Sequence, residues 1–123
     1  MTPLEQLTAL YEELPRIACA GLCHGACGPI MASRLEVEQL GAPLIFHPRT
    51  LACVFLDSNR RCLAYHLRPM ICRVYGVSRG LPCPHGCVPD RWLTDEEGRD
   101  FVARAMAIGG GMVLPDRGTV SEI

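Results

Sequence analysis

The sequence has no apolar run that approaches the roughly 20 residues of a membrane-spanning helix. Its first residues lack the basic segment, apolar stretch and small-residue cleavage site of a secretory signal, so we expect a cytoplasmic protein that is not attached to a membrane. Charge of one sign does not dominate either. The net charge is −1, with 12 basic and 13 acidic residues, which argues against a nucleic-acid-binding surface. The length of 123 residues predicts a single domain.

Common catalytic patterns are also missing. The sequence has no paired-carboxylate site, no phosphate-binding loop and no H-E-x-x-H zinc-hydrolase motif. The C-x2-C knuckles that are typical of zinc fingers and ribbons do not occur. A cysteine–histidine nucleophile is the remaining catalytic alternative, but the density of cysteines favours metal coordination. We therefore predict no catalytic residues and expect a binding protein rather than an enzyme.

Cysteine, by contrast, is abundant. The eight cysteines all lie in the central part of the chain: Cys19, Cys23, Cys27, Cys53, Cys62, Cys72, Cys83 and Cys87. Thiols rarely persist as disulfides in a reducing cytosol, so we interpret them as metal ligands, with a disulfide scaffold as the alternative. Thiolates suit zinc and iron–sulfur clusters, and the irregular spacing mildly favours an iron–sulfur (4Fe-4S) cluster over zinc. His24 and His85 lie between cysteines and are alternative ligands. Spacing leaves open whether there is one site or two.

Arginines crowd the central cysteines. A four-thiolate zinc site or an oxidised four-iron cluster carries a charge of about −2, which is costly to bury without compensation. Arg68 and Arg73 lie on either side of Cys72 in an apolar stretch, so we predict that they contact the cofactor. Arg60 and Arg61 are better explained as the solvated tip of a hairpin.

Helix-capping patterns predict most of the regular structure. Capping residues followed three positions later by glutamate predict three helices, which begin after Thr2, Ser33 and Thr94 and end by Pro15, at Gly41 and near Ile108. A short helix carrying Cys72 is predicted after the turn at Arg68-Pro69. Residues 43–47 are predicted as a strand, and residues 53–65 as a hairpin. The tail after residue 111 is predicted as an edge strand or as a mobile segment. These elements predict an α+β fold, in which three or four short helices and a β-hairpin surround a metal centre in a small, irregular, cysteine-rich domain.

The central stretch CVFLDSNRRCLAYHLRPMICRVYG resembles the signature of the CxxCxxCC, or YkgJ-like, cysteine-cluster family of zinc- or iron-chelating domains. The matching positions are Cys53, Phe55, Leu56, Cys62, Tyr65, Arg68, Pro69, Cys72 and Arg73. Upstream, CHGACGPIMASRLEVEQL resembles the cysteine-rich opening of that family and the helix that follows it, with its glutamate at Glu36. The resemblance covers roughly residues 17–90 and implies metal chelation with no established common reaction. The family usually has a cysteine doublet where Ala26-Cys27 stands here, so Cys83 or Cys87 would take the lost place.

Three functions fit this pattern. The first is a small metalloprotein whose iron–sulfur or zinc centre is mainly structural and presents a surface to a protein partner. The second is a redox protein, either an electron carrier or a sensor, and the third is a metal donor or chaperone. A sensor needs a solvent-reachable centre or low-pKa thiols, and the sequence shows neither. We favour the structural centre, with Cys53, Cys62 and Cys72 as the firmest ligands and Cys27 and Cys23 next.

Overall fold

A computed structural model of the chain describes residues 1–17, 29–51, 67–83 and 86–118. Within these ranges there are four helices and two small sheets, which is compatible with an α+β fold. The elements are α1 (Pro3–Glu12), β1 (Ala32–Ser33), α2 (Arg34–Leu40), β2 (Ile45–Phe46), α3 (Met70–Val74), α4 (Asp95–Ile108), β3 (Met112–Val113) and β4 (Asp116–Arg117). No helix in these ranges is long and apolar enough to cross a membrane. The predicted hairpin lies outside the described residues.

The three helices predicted from capping patterns are confirmed. The Thr2 side chain accepts a hydrogen bond from the backbone N–H of Glu5 and caps α1. Both α2 and α4 begin with a complete capping box, formed by the N-cap residue and the glutamate three positions later. Gly41 ends α2 with a left-handed φ of 71°. The short helix predicted after Pro69 is α3, and it carries Cys72.

The described core lies where α1, α3 and α4 pack against one another. Leu7 and Leu10 of α1, Phe101 and Ala105 of α4, and Met70 and Val74 of α3 belong to one buried cluster. Leu93, just before α4, is fully buried although it lies outside any periodic apolar pattern. The buried cluster consists of Leu7, Leu10, Met70, Val74, Val77, Leu93, Phe101 and Ala105.

Two small sheets connect the segment around α2 to the residues that follow α4. β1 pairs with β3 in antiparallel register, and β2 pairs with β4 in parallel register. The strand predicted at residues 43–47 is therefore present but shorter, as Ile45–Phe46. The tail was predicted to be either an edge strand or a mobile segment, and its described part forms the strands β3 and β4.

Ser33 packs directly on the end of α4. A Cβ atom on Gly109 would lie 2.1 Å from the Ser33 Oγ atom and 2.3 Å from its Cβ atom, so only glycine fits there. Backbone hydrogen bonds from Arg34 to the Gly111 carbonyl and from Leu35 to the Gly109 carbonyl, both 2.9 Å, hold the two segments together. The start of α2 is thus fixed against the end of α4.

Candidate metal centre and the Glu36 cluster

Cys72 lies in the short helix α3, where its thiol is half-buried. Pro69 is the N-cap residue of this helix, and its carbonyl accepts hydrogen bonds from the backbone N–H groups of Cys72 (3.0 Å) and Arg73 (3.1 Å). The Arg68-Pro69 pair therefore lies at the start of the helix that carries Cys72.

Cys83 and Cys87 are kept near each other by a backbone hydrogen bond to the Cys83 carbonyl. The backbone N–H of Gly86 donates to the Cys83 carbonyl over 3.2 Å, and Gly86 has a φ of 80°, which glycine adopts without strain. Both thiols are half-buried. This hydrogen bond places the two cysteines in the same region of the molecule.

Gly76, just after α3, lies close to Cys83. Its N–H donates to the Leu81 carbonyl over 2.6 Å and its φ is 91°. A Cβ atom on Gly76 would lie 3.8 Å from the Cys83 Cβ atom and 3.4 Å from the Ile17 Cδ1 atom. Cys83 therefore packs close to backbone that lies only four residues after Cys72.

The segment that leads to Cys19 enters the same region. Ile17 forms an antiparallel bridge with Pro89, two residues after Cys87. The N–H of Asp90 donates to the Arg16 carbonyl (2.8 Å), and the Asp90 carboxylate accepts from the Arg16 N–H (3.1 Å). Described residues from three segments, those beside Cys19, Cys72 and Cys87, therefore lie close together around Ile17 and Gly76.

Five of the predicted ligands, Cys19, Cys23, Cys27, Cys53 and Cys62, lie outside the described residues, as do His24 and His85. Within the described ranges, no group of three or more cysteine, histidine or carboxylate side chains is arranged to hold a metal ion. The half-buried thiols of Cys72, Cys83 and Cys87 are soft donors and fit zinc or an iron–sulfur cluster in chemistry. The complete ligand set stays a prediction.

A buried carboxylate, Glu36, lies at the junction of α1, α2 and α3. Only 2% of the Glu36 surface is exposed to solvent. Glu36 Oε1 accepts from the backbone N–H of Ser33 at 3.0 Å, while Oε2 accepts from the Tyr11 hydroxyl at 2.5 Å and from the backbone N–H of Met70 at 2.6 Å. We call Glu36, Tyr11 and Arg73 the Glu36 cluster.

The contact between Glu36 and Met70 caps α3. The N-cap residue of α3 is Pro69, which has no side-chain group to satisfy the first N–H donors, and the Glu36 carboxylate takes that role from another helix. A negative charge at a helix N-terminus is also favourable because of the helix dipole. Glu36 therefore holds in place the helix that carries Cys72.

Arg73 completes the cluster on the same helix. Its guanidinium carbon lies 3.8 Å from the centroid of the Tyr11 ring, and its Nε–H donates to the Arg68 carbonyl over 2.6 Å. Burial lowers the pKa of Arg73, and the nearby charge of Arg68 lowers it further. Burial, followed by the hydrogen bond to Glu36 and its negative charge, raises the pKa of Tyr11.

Sequence reasoning singled out Arg73 but missed Tyr11, which it treated only as part of the apolar face of α1. Glu36 was found through its capping box, and this pattern correctly indicates the bond to Ser33. No local pattern indicates the bond to Met70, which lies 34 residues away. The described contacts of Arg73 and Arg68 leave their predicted role at a cofactor untested.

Comparisons with protein-family models, with curated proteins and with solved structures find no match. The resemblance to the cysteine-cluster family therefore stays a prediction from the sequence motif.

We predict that Glu36→Gln destabilises the protein by roughly 1–3 kcal/mol, because the amide NH2 group would face a backbone or hydroxyl donor that is then left unsatisfied. The midpoint of urea unfolding measures the effect. Glu38→Gln is the matched control, since Glu38 lies on the same helix but is exposed. Equal unfolding midpoints for the two variants would contradict the role assigned to Glu36.

A second prediction concerns alkaline pH. The pKa of Tyr11 is higher in the folded protein than the ordinary 10.0, so the unfolded chain loses this proton first as pH rises. The stability that depends on this proton is complete below pH 10.0 and decreases above it. The free energy of unfolding should therefore fall more steeply above that pH in the native protein than in Tyr11→Phe, which keeps the ring beside Arg73. If the free energies of unfolding of the native protein and of Tyr11→Phe fell in parallel across the alkaline range, this prediction would be wrong.

Proposed function

We propose that this protein binds a cysteine-ligated metal centre, either an iron–sulfur cluster or zinc, whose role is mainly structural. The observation that supports it best is the meeting of residues from three cysteine-bearing segments around Ile17 and Gly76. Half-buried thiols whose segments approach one another are what a soft metal needs. The cysteines outside the described residues would supply the remaining ligands.

A structural role agrees with the small size of the regular elements. Among the described residues each strand has two residues, and α3 has five. Elements this short contribute little stability on their own. A structural metal can add ~10–16 kcal/mol in small zinc domains, which exceeds the net stability of many domains. The centre would therefore decide whether this chain is folded.

The second part of the proposal is a surface for a protein partner in the cytosol. The sequence contains none of the catalytic motifs considered above, so the metal centre is expected to shape a binding surface rather than to carry out a reaction.

Charge around Cys72 supports an anionic centre. Arg68 and Arg73 lie on either side of Cys72 in the sequence, and Arg73 is half-buried. Burying guanidinium groups is costly without nearby negative charge. Glu36 supplies part of that charge, because its carboxylate interacts electrostatically with Arg73. A thiolate-ligated centre would supply more.

We predict that Cys72→Ser loses metal and lowers the melting temperature, because metal binding and folding are coupled. Protein purified without oxygen would be analysed for iron, acid-labile sulfide and zinc, and its unfolding followed by circular dichroism. Ile71→Val is the matched control on the same helix, since it trims a half-buried neighbour without touching a thiol, and it should keep its metal.

The outcomes separate the competing functions. Iron with sulfide and visible absorption would support a cluster, whereas a colourless protein with zinc would exclude electron transfer. If Cys72→Ser kept full metal content and an unchanged melting temperature, the proposed metal centre would be wrong.

We further predict that Arg73→Ala destabilises the metal-loaded form more than the metal-free form, because the loaded centre adds negative charge that the guanidinium offsets. Loss of the stacking on Tyr11 should affect both forms equally, so the difference between them isolates the effect of the centre. Arg104→Ala is a suitable control, since Arg104 lies beside the Phe101 ring and pairs with Glu13 on the surface. If Arg73→Ala lost the same stability in the metal-loaded and metal-free forms, Arg73 would not compensate the negative charge of the centre.

A further inference from the structure

Asp90 joins the segment that follows α1 to the segment that follows Cys87. Its backbone N–H donates to the Arg16 carbonyl over 2.8 Å, and its carboxylate accepts from the Arg16 N–H over 3.1 Å. The neighbouring residues, Ile17 and Pro89, form an antiparallel bridge. A hydrogen-bonded pair of opposite residues in an antiparallel ladder exchanges two backbone N–H···O bonds. Here the Asp90 side chain provides one of the two acceptors in place of the backbone carbonyl.

The pairing depends on this side chain because the residues beside it offer few alternatives. Pro15 and Pro89 have no backbone N–H, so neither can donate to the opposite segment. Among the described residues, both hydrogen bonds that hold the Arg16 backbone come from Asp90. Removal of the carboxylate would therefore leave Arg16 with one backbone bond to the opposite segment.

The bonds from Asp90 also fix the residue that follows Arg16. A Cβ atom placed on Gly76 would be in van der Waals contact with the Ile17 Cδ1 atom, at 3.4 Å, and would lie 3.8 Å from the Cys83 Cβ atom. Ile17 thus packs against backbone that is itself close to a predicted ligand. Any shift of the segment after α1 moves Ile17 out of this contact.

We propose that Asp90 is a positioning residue for the proposed metal centre, on which this inference rests. Cys87 lies three residues before Asp90 in the sequence, and Cys19 lies three residues after Arg16. The Asp90 bonds therefore hold together the two backbone segments that lead to these predicted ligands. Segments that are already held together lose less conformational entropy when a metal binds. Asp90 acts through the Arg16 backbone rather than by contact with the metal.

The test compares Asp90→Ala with Asp90→Asn in the full chain. The alanine variant loses the acceptor, whereas asparagine keeps an amide oxygen that can accept from the Arg16 N–H but carries no charge. Each protein is loaded with the metal that the native chain holds, and release to excess EDTA is followed by elemental analysis. We expect Asp90→Ala to release metal about two- to tenfold faster than the native protein, which corresponds to the loss of one hydrogen bond. Asp90→Asn should release it at nearly the native rate.

Local thiol reactivity separates positioning from a general loss of stability. Each protein, as purified, is treated with iodoacetamide under native conditions, and mass spectrometry gives a separate alkylation rate for each cysteine. In Asp90→Ala we expect the rate to rise more at Cys87, which is near Asp90 in the chain, than at Cys72, which lies within α3. Asp100→Ala is the matched control, since it removes an exposed carboxylate that pairs with Arg104 on α4, and both readouts should stay native.

Four outcomes would overturn the proposal. Asp90→Ala could release metal at the native rate, or no faster than Asp100→Ala. Asp90→Asn could release it as fast as Asp90→Ala, which would assign the effect to charge rather than to the hydrogen bond. Alkylation at Cys87 and Cys72 could rise by the same factor, which would indicate a global effect. A native chain that held no metal would overturn the proposed function as well, whereas the first three results, obtained with a metal-loaded native chain, would overturn this inference alone.

Discussion

The buried carboxylate of Glu36 is the interaction on which the described structure depends most. It joins three helices through three donors: a hydroxyl from α1, the N-cap backbone of α2 and the first backbone N–H of α3. A buried carboxylate is stable only when its acceptor oxygens are satisfied, so these contacts are mutually dependent. Any movement of one helix leaves a polar group of another without a partner. The position of α3, and with it Cys72, is therefore tied to the other two helices.

Arg73 belongs to two environments at once. On one side it interacts with Tyr11 and Glu36, and along the chain it directly follows Cys72. A change in charge at either side alters the electrostatic energy of the same guanidinium. The proposed metal centre and the Glu36 cluster are thus expected to influence each other through this side chain, although they use different chemical groups.

Local sequence signals predicted the helices well, because capping depends on residues only three positions apart, as at Ser33 and Thr94. The contacts that bring the candidate site together join distant residues, such as Ile17 with Pro89 and Glu36 with Met70. A single bridge or hydrogen bond between distant residues leaves no periodic pattern, so the sequence does not reveal it. The burial of Leu93 was not predicted either, because Leu93 lies outside any periodic apolar pattern. Five of the cysteines lie outside the described residues, so the ligand set rests on thiol chemistry and on the motif.

The contact between Ser33 and Gly109 has a consequence for synthesis on the ribosome. In the part of the chain that the structure describes, residues 32–46 pair as strands with residues 112–117, and Ser33 packs against Gly109. The nascent chain therefore lacks these partners for this early segment until residues 109–117 have left the exit tunnel, a delay of seconds at ~5–20 residues per second. During that interval the cysteines that precede α4 have also been made, so the proposed metal, if it bound at that stage, would bind a chain whose two sheets have not yet closed.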